Sequence, residues 1–143
     1  MKPTQVIQAA VAWQVALAGY LQLIEWLPMP PWNDLSRGNG QQTIDLALAV
    51  VSAGIAYGTW RCHRPTIGLG VVGLLVWLWM QISFWWRPYL LGGTPAEIRF
   101  HERWFGRNWT FLPAIGDHPV PDAAHAVLQA FIVAALLATI RAW

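Results

Sequence analysis

Apolar residues in this chain come in long unbroken runs, not in the alternation of a half-buried strand. Four runs stand out, at about 5–27, 43–60, 66–86 and 123–140. Crossing a bilayer as a helix takes about 20 mostly apolar residues, with a range of roughly 17–25. A transmembrane barrel would instead need alternating segments of about 10 residues. The pattern predicts an all-α integral membrane protein: one domain over 1–143, built as a four-transmembrane-helix bundle. The first run imitates a secretory leader, with Ala16-Leu17-Ala18 in the place of a cleavage site. Leader cores extend only about 7–15 apolar residues. This run continues through Tyr20, Leu21, Leu23 and Ile24, so a retained span is expected.

Composition agrees. Of 143 residues, 56% are hydrophobic and 11% charged, against about 45–50% and 25% in soluble domains. Disorder requires the opposite balance. One cysteine excludes a disulfide scaffold and a cysteine zinc module. The net charge is +2 with no basic run, which argues against nucleic acid as a partner. The expected surroundings are the lipid bilayer and other membrane-protein subunits, or further copies of the chain.

Charge placement suggests an orientation. Four spans put the termini and the 61–65 turn on one side, with Lys2, Arg61, Arg64 and Arg141 and no acid. The other side carries Glu25, Asp34, Asp45, Glu97, Glu102, Asp117 and Asp122, plus Arg37, Arg87, Arg99, Arg103 and Arg107. Lys and Arg set orientation, most strongly in short segments at span ends. The termini are therefore expected in the cytoplasm of a cell-membrane protein, with the 28–42 and 87–121 loops outside. The tryptophans form two expected interfacial belts: Trp26, Trp32, Trp85, Trp86, Trp104 and Trp109 on the outer side, Trp60 and Trp143 opposite.

Arg61-Cys62-His63-Arg64-Pro65 predicts a tight turn joining spans two and three. Gly54 and Gly58, facing Gly70 and Gly73 at similar depth, would let the two backbones approach. On span one, Gln14, Gln22 and Glu25 share a helix face; Gln81 on span three and Gln129 on span four add polar groups. Such side chains turn inward, either to tie helices together or to line a polar pocket.

The 87–121 loop is the most informative region. Thr94-Pro95-Ala96-Glu97 reads as a capping box, opening a short interfacial amphipathic helix over about 95–105 that Gly106 ends. Arg99, Arg103 and Arg107 form a basic stripe suited to lipid headgroups or another anion. Gly38-Asn39-Gly40 predicts a turn in the other outer loop. Asp122 is placed to cap span four, with His125 and Gln129 on the same face. His101, His118, Asp122 and His125 are the candidate metal ligands, although no HExxH or paired ExxH motif is present. A tetrapyrrole is the weaker cofactor alternative, since only His125 lies on a span.

Three functions follow. With no catalytic constellation, the chain reads first as a non-catalytic accessory or structural subunit of a larger membrane complex. A small oligomeric transporter or channel would use Gln14, Gln22, Glu25 and Gln81 as its route and the arginine stripe to attract anions. A membrane enzyme would use Glu97, His101, His118, Asp122 and His125 as a metal-dependent site.

Overall fold

The structure is a computed structural model describing residues 3–36 and 42–143. Lys2, Arg37 and the expected Gly38-Asn39-Gly40 turn lie outside the described residues. The elements are α1 (Pro3–Trp26), α2 (Gln42–Trp60), α3 (Arg64–Gln81), a π-helical turn (Ile82–Trp86), α4 (Arg87–Leu91), α5 (Pro95–Phe105) and α6 (Ala123–Ala142). Four stretches, Thr4–Trp26, Thr43–Trp60, Arg64–Leu91 and Ala123–Ala142, are long and apolar enough to cross a membrane. No strand occurs among the described residues.

The third stretch runs five residues past its expected end at Trp86. Pro88 explains how. Proline lacks an N–H and its ring collides with the carbonyl four residues back. The helix widens to accommodate this, and the Arg87 N–H bonds back to the Ile82 carbonyl. Such single π turns interrupt α-helices without ending them. Arg87 does not stop the helix either, because its side chain turns back to the Ser83 carbonyl (3.3 Å) and pairs with Glu97.

α6 is the hub. It packs against α1 and α3, while α1 also carries α2 along its length. The core joins Leu17, Leu21 and Ile24 of α1 and Leu74 of α3 to Leu128, Ile132 and Leu136 of α6. In α6, 44% of the most apolar window is buried, against 28% for the α1 stretch, 22% for the α2 stretch and 11% for the third, so α6 is the most enclosed helix and the third stretch the most exposed.

The 61–65 turn is tight, as expected. The His63 N–H bonds to the Gly58 carbonyl (2.9 Å) and the Cys62 N–H to that of Thr59 (3.0 Å). This is the pair of bonds that closes a helix with a left-handed residue. Cys62 takes that left-handed position with φ 54°, where glycine is usual. Only half of the expected glycine interface forms. A Cβ on Gly58 would sit 2.3 Å from Thr66, and one on Gly70 would sit 2.8 Å from Ile55. Gly54 and Gly73 have no such neighbour within 4 Å. The two helices touch near their turn and splay beyond it, so equal depth did not mean equal closeness.

At the opposite end the two loops run side by side. Trp109 donates its N–H to the Pro31 carbonyl (2.6 Å), and Ala123 donates to that of Trp109 (2.8 Å). Asn33 closes α1: its amide donates to the carbonyls of Ile24 and Leu27, and its oxygen accepts from the Met29 N–H. Carbonyls that a helix end leaves free are thereby satisfied.

Candidate functional site

The site lies where α5 folds over the ends of the bundle. The capping box forms as expected: Thr94 accepts from the Glu97 N–H, and Glu97 accepts from the Thr94 N–H (2.7 Å). The Thr94 N–H and hydroxyl, and then the Arg87 guanidinium, hold the Glu97 carboxyl below the usual range. The apolar side of α5 closes on Trp85, a fully buried side chain and not the interfacial anchor its sequence position suggested. Ring centroids put Trp85 at 4.9 Å from His101, 4.8 Å from Phe105 and 4.4 Å from His125. Trp85 thus joins the end of the third stretch to both α5 and α6.

A chain of polar contacts runs beneath. Arg107 reaches Asp34 at 3.5 Å; the Asp34 N–H donates to Asn108 Oδ1 (2.8 Å); Asn108 Nδ2 donates to Asp122 (2.7 Å). The fully buried Asp122 caps α6 by accepting the His125 N–H, and His125 Nδ1 lies at 2.8 and 3.0 Å from its two oxygens. Burial alone would push the Asp122 carboxyl up, but the His125 ring, the His125 N–H and the Asn108 amide outweigh it and hold the group below its ordinary value. Since the Asp122 carboxylate accepts, His125 Nδ1 carries a proton toward it. His125, Glu25, Asn33, Asp34 and Asn108 share the lining of a cavity of about 40 Å³. A water needs about 10–15 Å³ by this measure, so there is room for about three or four waters.

The histidines separate. His101 Nδ1 is 2.9 Å from the Glu97 carbonyl, which only accepts, so the ring donates there. Burial lowers the His101 pKa, and Nε2 has no hydrogen-bond partner among the described residues. His118 is held elsewhere, by the Tyr89 carbonyl at 2.8 Å and against Gly92. Of the four candidate ligands only Asp122 and His125 are in direct contact, and the described residues hold no cluster of three metal-binding side chains.

The other candidates also part company. The arginine stripe divides: Arg99 and Arg103 flank an exposed groove with Phe100 and Trp104, with Arg103 stacked 5.0 Å above the Trp104 ring, while Arg107 turns to Asp34. The polar side chains of the spans make separate ties. Gln14 donates to Thr59 (3.2 Å) and Thr139 (2.9 Å), Gln22 to the Asp45 carbonyl (3.0 Å), and Gln129 accepts from Trp86 and donates to Gln81 (3.4 Å). Glu25 comes within hydrogen-bonding reach of Asp45 across α1 and α2, a pairing of two acids with no local signal in the sequence. Asn108, Thr59 and Thr139 likewise have no local signal in the sequence, because Asn108 meets Asp34 and the two threonines meet Gln14, all far away along the chain. No protein-family profile, curated protein or solved structure matches the chain.

Proposed function

We propose that the chain is a multi-pass membrane protein, a four-span bundle acting as a non-catalytic subunit of a larger membrane assembly. The observation that carries this reading is the small size of the space under the cap. An enclosed pocket would favour transport or catalysis, but about 40 Å³ admits water and not a solute. The polar side chains first considered as a route support the same reading, because each bonds a neighbouring helix. Broad apolar faces remain outside the core: Leu69, Val72, Val76 and Trp79 on α3, and Val50 and Tyr57 on α2. Lipid or neighbouring subunits would cover them. Arg99 and Arg103 would meet lipid phosphates at the membrane surface.

Mild-detergent extraction followed by native electrophoresis tests this reading. The chain is expected to migrate with a larger complex and to crosslink from α2 and α3. A monomer with no crosslinked neighbour would sink it. Orientation has its own test, because Cys62 is the only cysteine and is exposed in the 61–65 turn. A membrane-impermeant maleimide should label it in opened vesicles and not in intact cells; labelling in intact cells would place the termini outside.

A second reading, a proton-handling site, has one specific observation behind it. A buried carboxylate orients His125, which borders one cavity together with Glu25. This reading predicts that His125→Gln abolishes a proton-dependent activity without unfolding the protein; an unchanged activity would remove it.

A further inference from the structure

Beyond the subunit reading, we infer that the open face between α2 and α3 is a binding site for an apolar small molecule bearing a hydroxyl group, whose hydrogen bond is accepted by Gln14. Where the two helices splay, they leave a groove of about 360 Å³ walled by Ile44, Leu48, Val51, Trp77 and Met80. That volume is within the roughly 300–1,000 Å³ of small-molecule pockets, which are mostly apolar with a few placed polar groups. Gln14 and Leu17 of α1, both buried, form its floor, and the Ser52 hydroxyl and the Trp77 indole are the other side chains with a polar group among those lining it.

The chemistry of the floor follows from proton accounting. The Thr59 hydroxyl donates to the Ile55 carbonyl (2.9 Å), and that of Thr139 to the Ala135 carbonyl (2.6 Å). Each hydroxyl has then spent its only hydrogen, so toward Gln14 each must accept. Two acceptors fix the amide with its nitrogen facing them, both N–H groups in use. The carbonyl edge is left over: Gln14 is 4% exposed, and its Oε1 has no partner among the described residues. A buried acceptor without a donor is costly, and the cost disappears when a donor arrives. The site therefore selects a neutral donor on an apolar body. An acyl chain alone fills the groove without satisfying Gln14, and a carboxylate or ether presents another acceptor to it.

The test compares two photo-crosslinking probes on the full chain in bilayers: dodecanol carrying a mid-chain diazirine, and its methyl ether. The alcohol is expected to label α2 and α3 within the groove about five- to tenfold more strongly than the ether, the worth of one buried hydrogen bond. Gln14→Met should erase the difference. Gly73→Leu should block both probes, because Gly73 lines the groove and has open space around its Cα, so the larger side chain fills it without a clash. Gly54→Leu, equally uncrowded but outside the groove, should leave labelling intact. Equal labelling by alcohol and ether would overturn the proposal in favour of a groove that only holds lipid chains. Absence of labelling by either would overturn it as well.

Discussion

The capped end of the bundle and its α2–α3 face use the same kinds of residue to opposite effect. At the capped end aromatic rings fill the space, and Asp34, Asn108, Asp122 and His125 form one connected set of hydrogen bonds. Along α2–α3 the helices part, the walls are mostly apolar, and the Gln14 carbonyl has no donor among the described residues. The connected set makes its part of the cap rigid and specific, while the buried His101 Nε2 beside it has no partner among the described residues. An apolar opening with one unmet acceptor stays available to a ligand. On the proposed subunit reading, closure at one end would make the cap a scaffold and openness along the side would make the lateral face the place for association.

Breaking the capped end should have the largest effect. Trp85→Ala removes the ring on which His101, Phe105 and His125 converge. Truncating a buried large aromatic side chain costs about 3–5 kcal/mol. Unfolding in mixed micelles should register that loss, and amides of α5 should exchange faster than those of α2. A loss confined to α2 would mean that Trp85 does not hold the cap.

The next effect sharpens the contrast along α2 itself. Gly58→Leu drives a side chain into Thr66, where even a Cβ would lie 2.3 Å away, while Gly54→Leu meets open space. Overpacking typically costs about 1–3 kcal/mol, so Gly58→Leu should unfold at lower denaturant and Gly54→Leu at an unchanged midpoint. Equal behaviour of the two variants would mean that the helices close together beyond their turn.

These two glycines also show what the sequence could and could not reveal. Gly54 and Gly58 are equivalent as a spacing pattern; only the splay of α2 from α3 separates them, and splay depends on side chains from both helices. The capping box at Thr94 and the cap at Asp122 were legible because each is a contact over three residues, carried by the local pattern itself. Asn108 was not, because its partner Asp34 is 74 positions away. Trp85 sits beside Trp86 in a pair that looks interfacial; the π turn ahead of Pro88 belongs to the stretch where one ring is buried and the other half-buried. Long apolar runs announced the four long helices, but the depth of each in the bundle was set by tertiary packing.

A smaller, pH-dependent effect separates the two regions again. Burial lowers the His101 pKa, with the Glu97 carbonyl and His125 facing the ring. An unfolded His101 therefore binds its proton at a higher pH than the folded one. Its contribution to stability is full above the ordinary histidine value of about 6.5 and declines as pH falls toward the lower folded value. Asp122, also held low, adds a further loss only below the ordinary carboxylate range. Acidification from neutral pH should thus loosen α5 before α2, read as amide exchange. His101→Leu should remove the first loss and keep the second. Loosening that persists unchanged in His101→Leu would assign it to another group.

The smallest effect is expected at Arg107, although its pairing with Asp34 joins the loop after α1 to the loop before α6. The contact is long at 3.5 Å and the arginine side chain is 62% exposed. Water and salt screen such a pair, and ordering a long side chain offsets much of the attraction. The loops do not depend on it, because the Asp34 N–H already bonds to Asn108 and the Trp109 N–H to Pro31. Arg107→Ala should therefore leave the unfolding midpoint unresolved from that of the parent at physiological salt. A clear destabilisation that vanishes in high salt would show that the cap is held by charge, and the contrast drawn between a hydrogen-bonded end and an open face would have to be rebuilt on electrostatics.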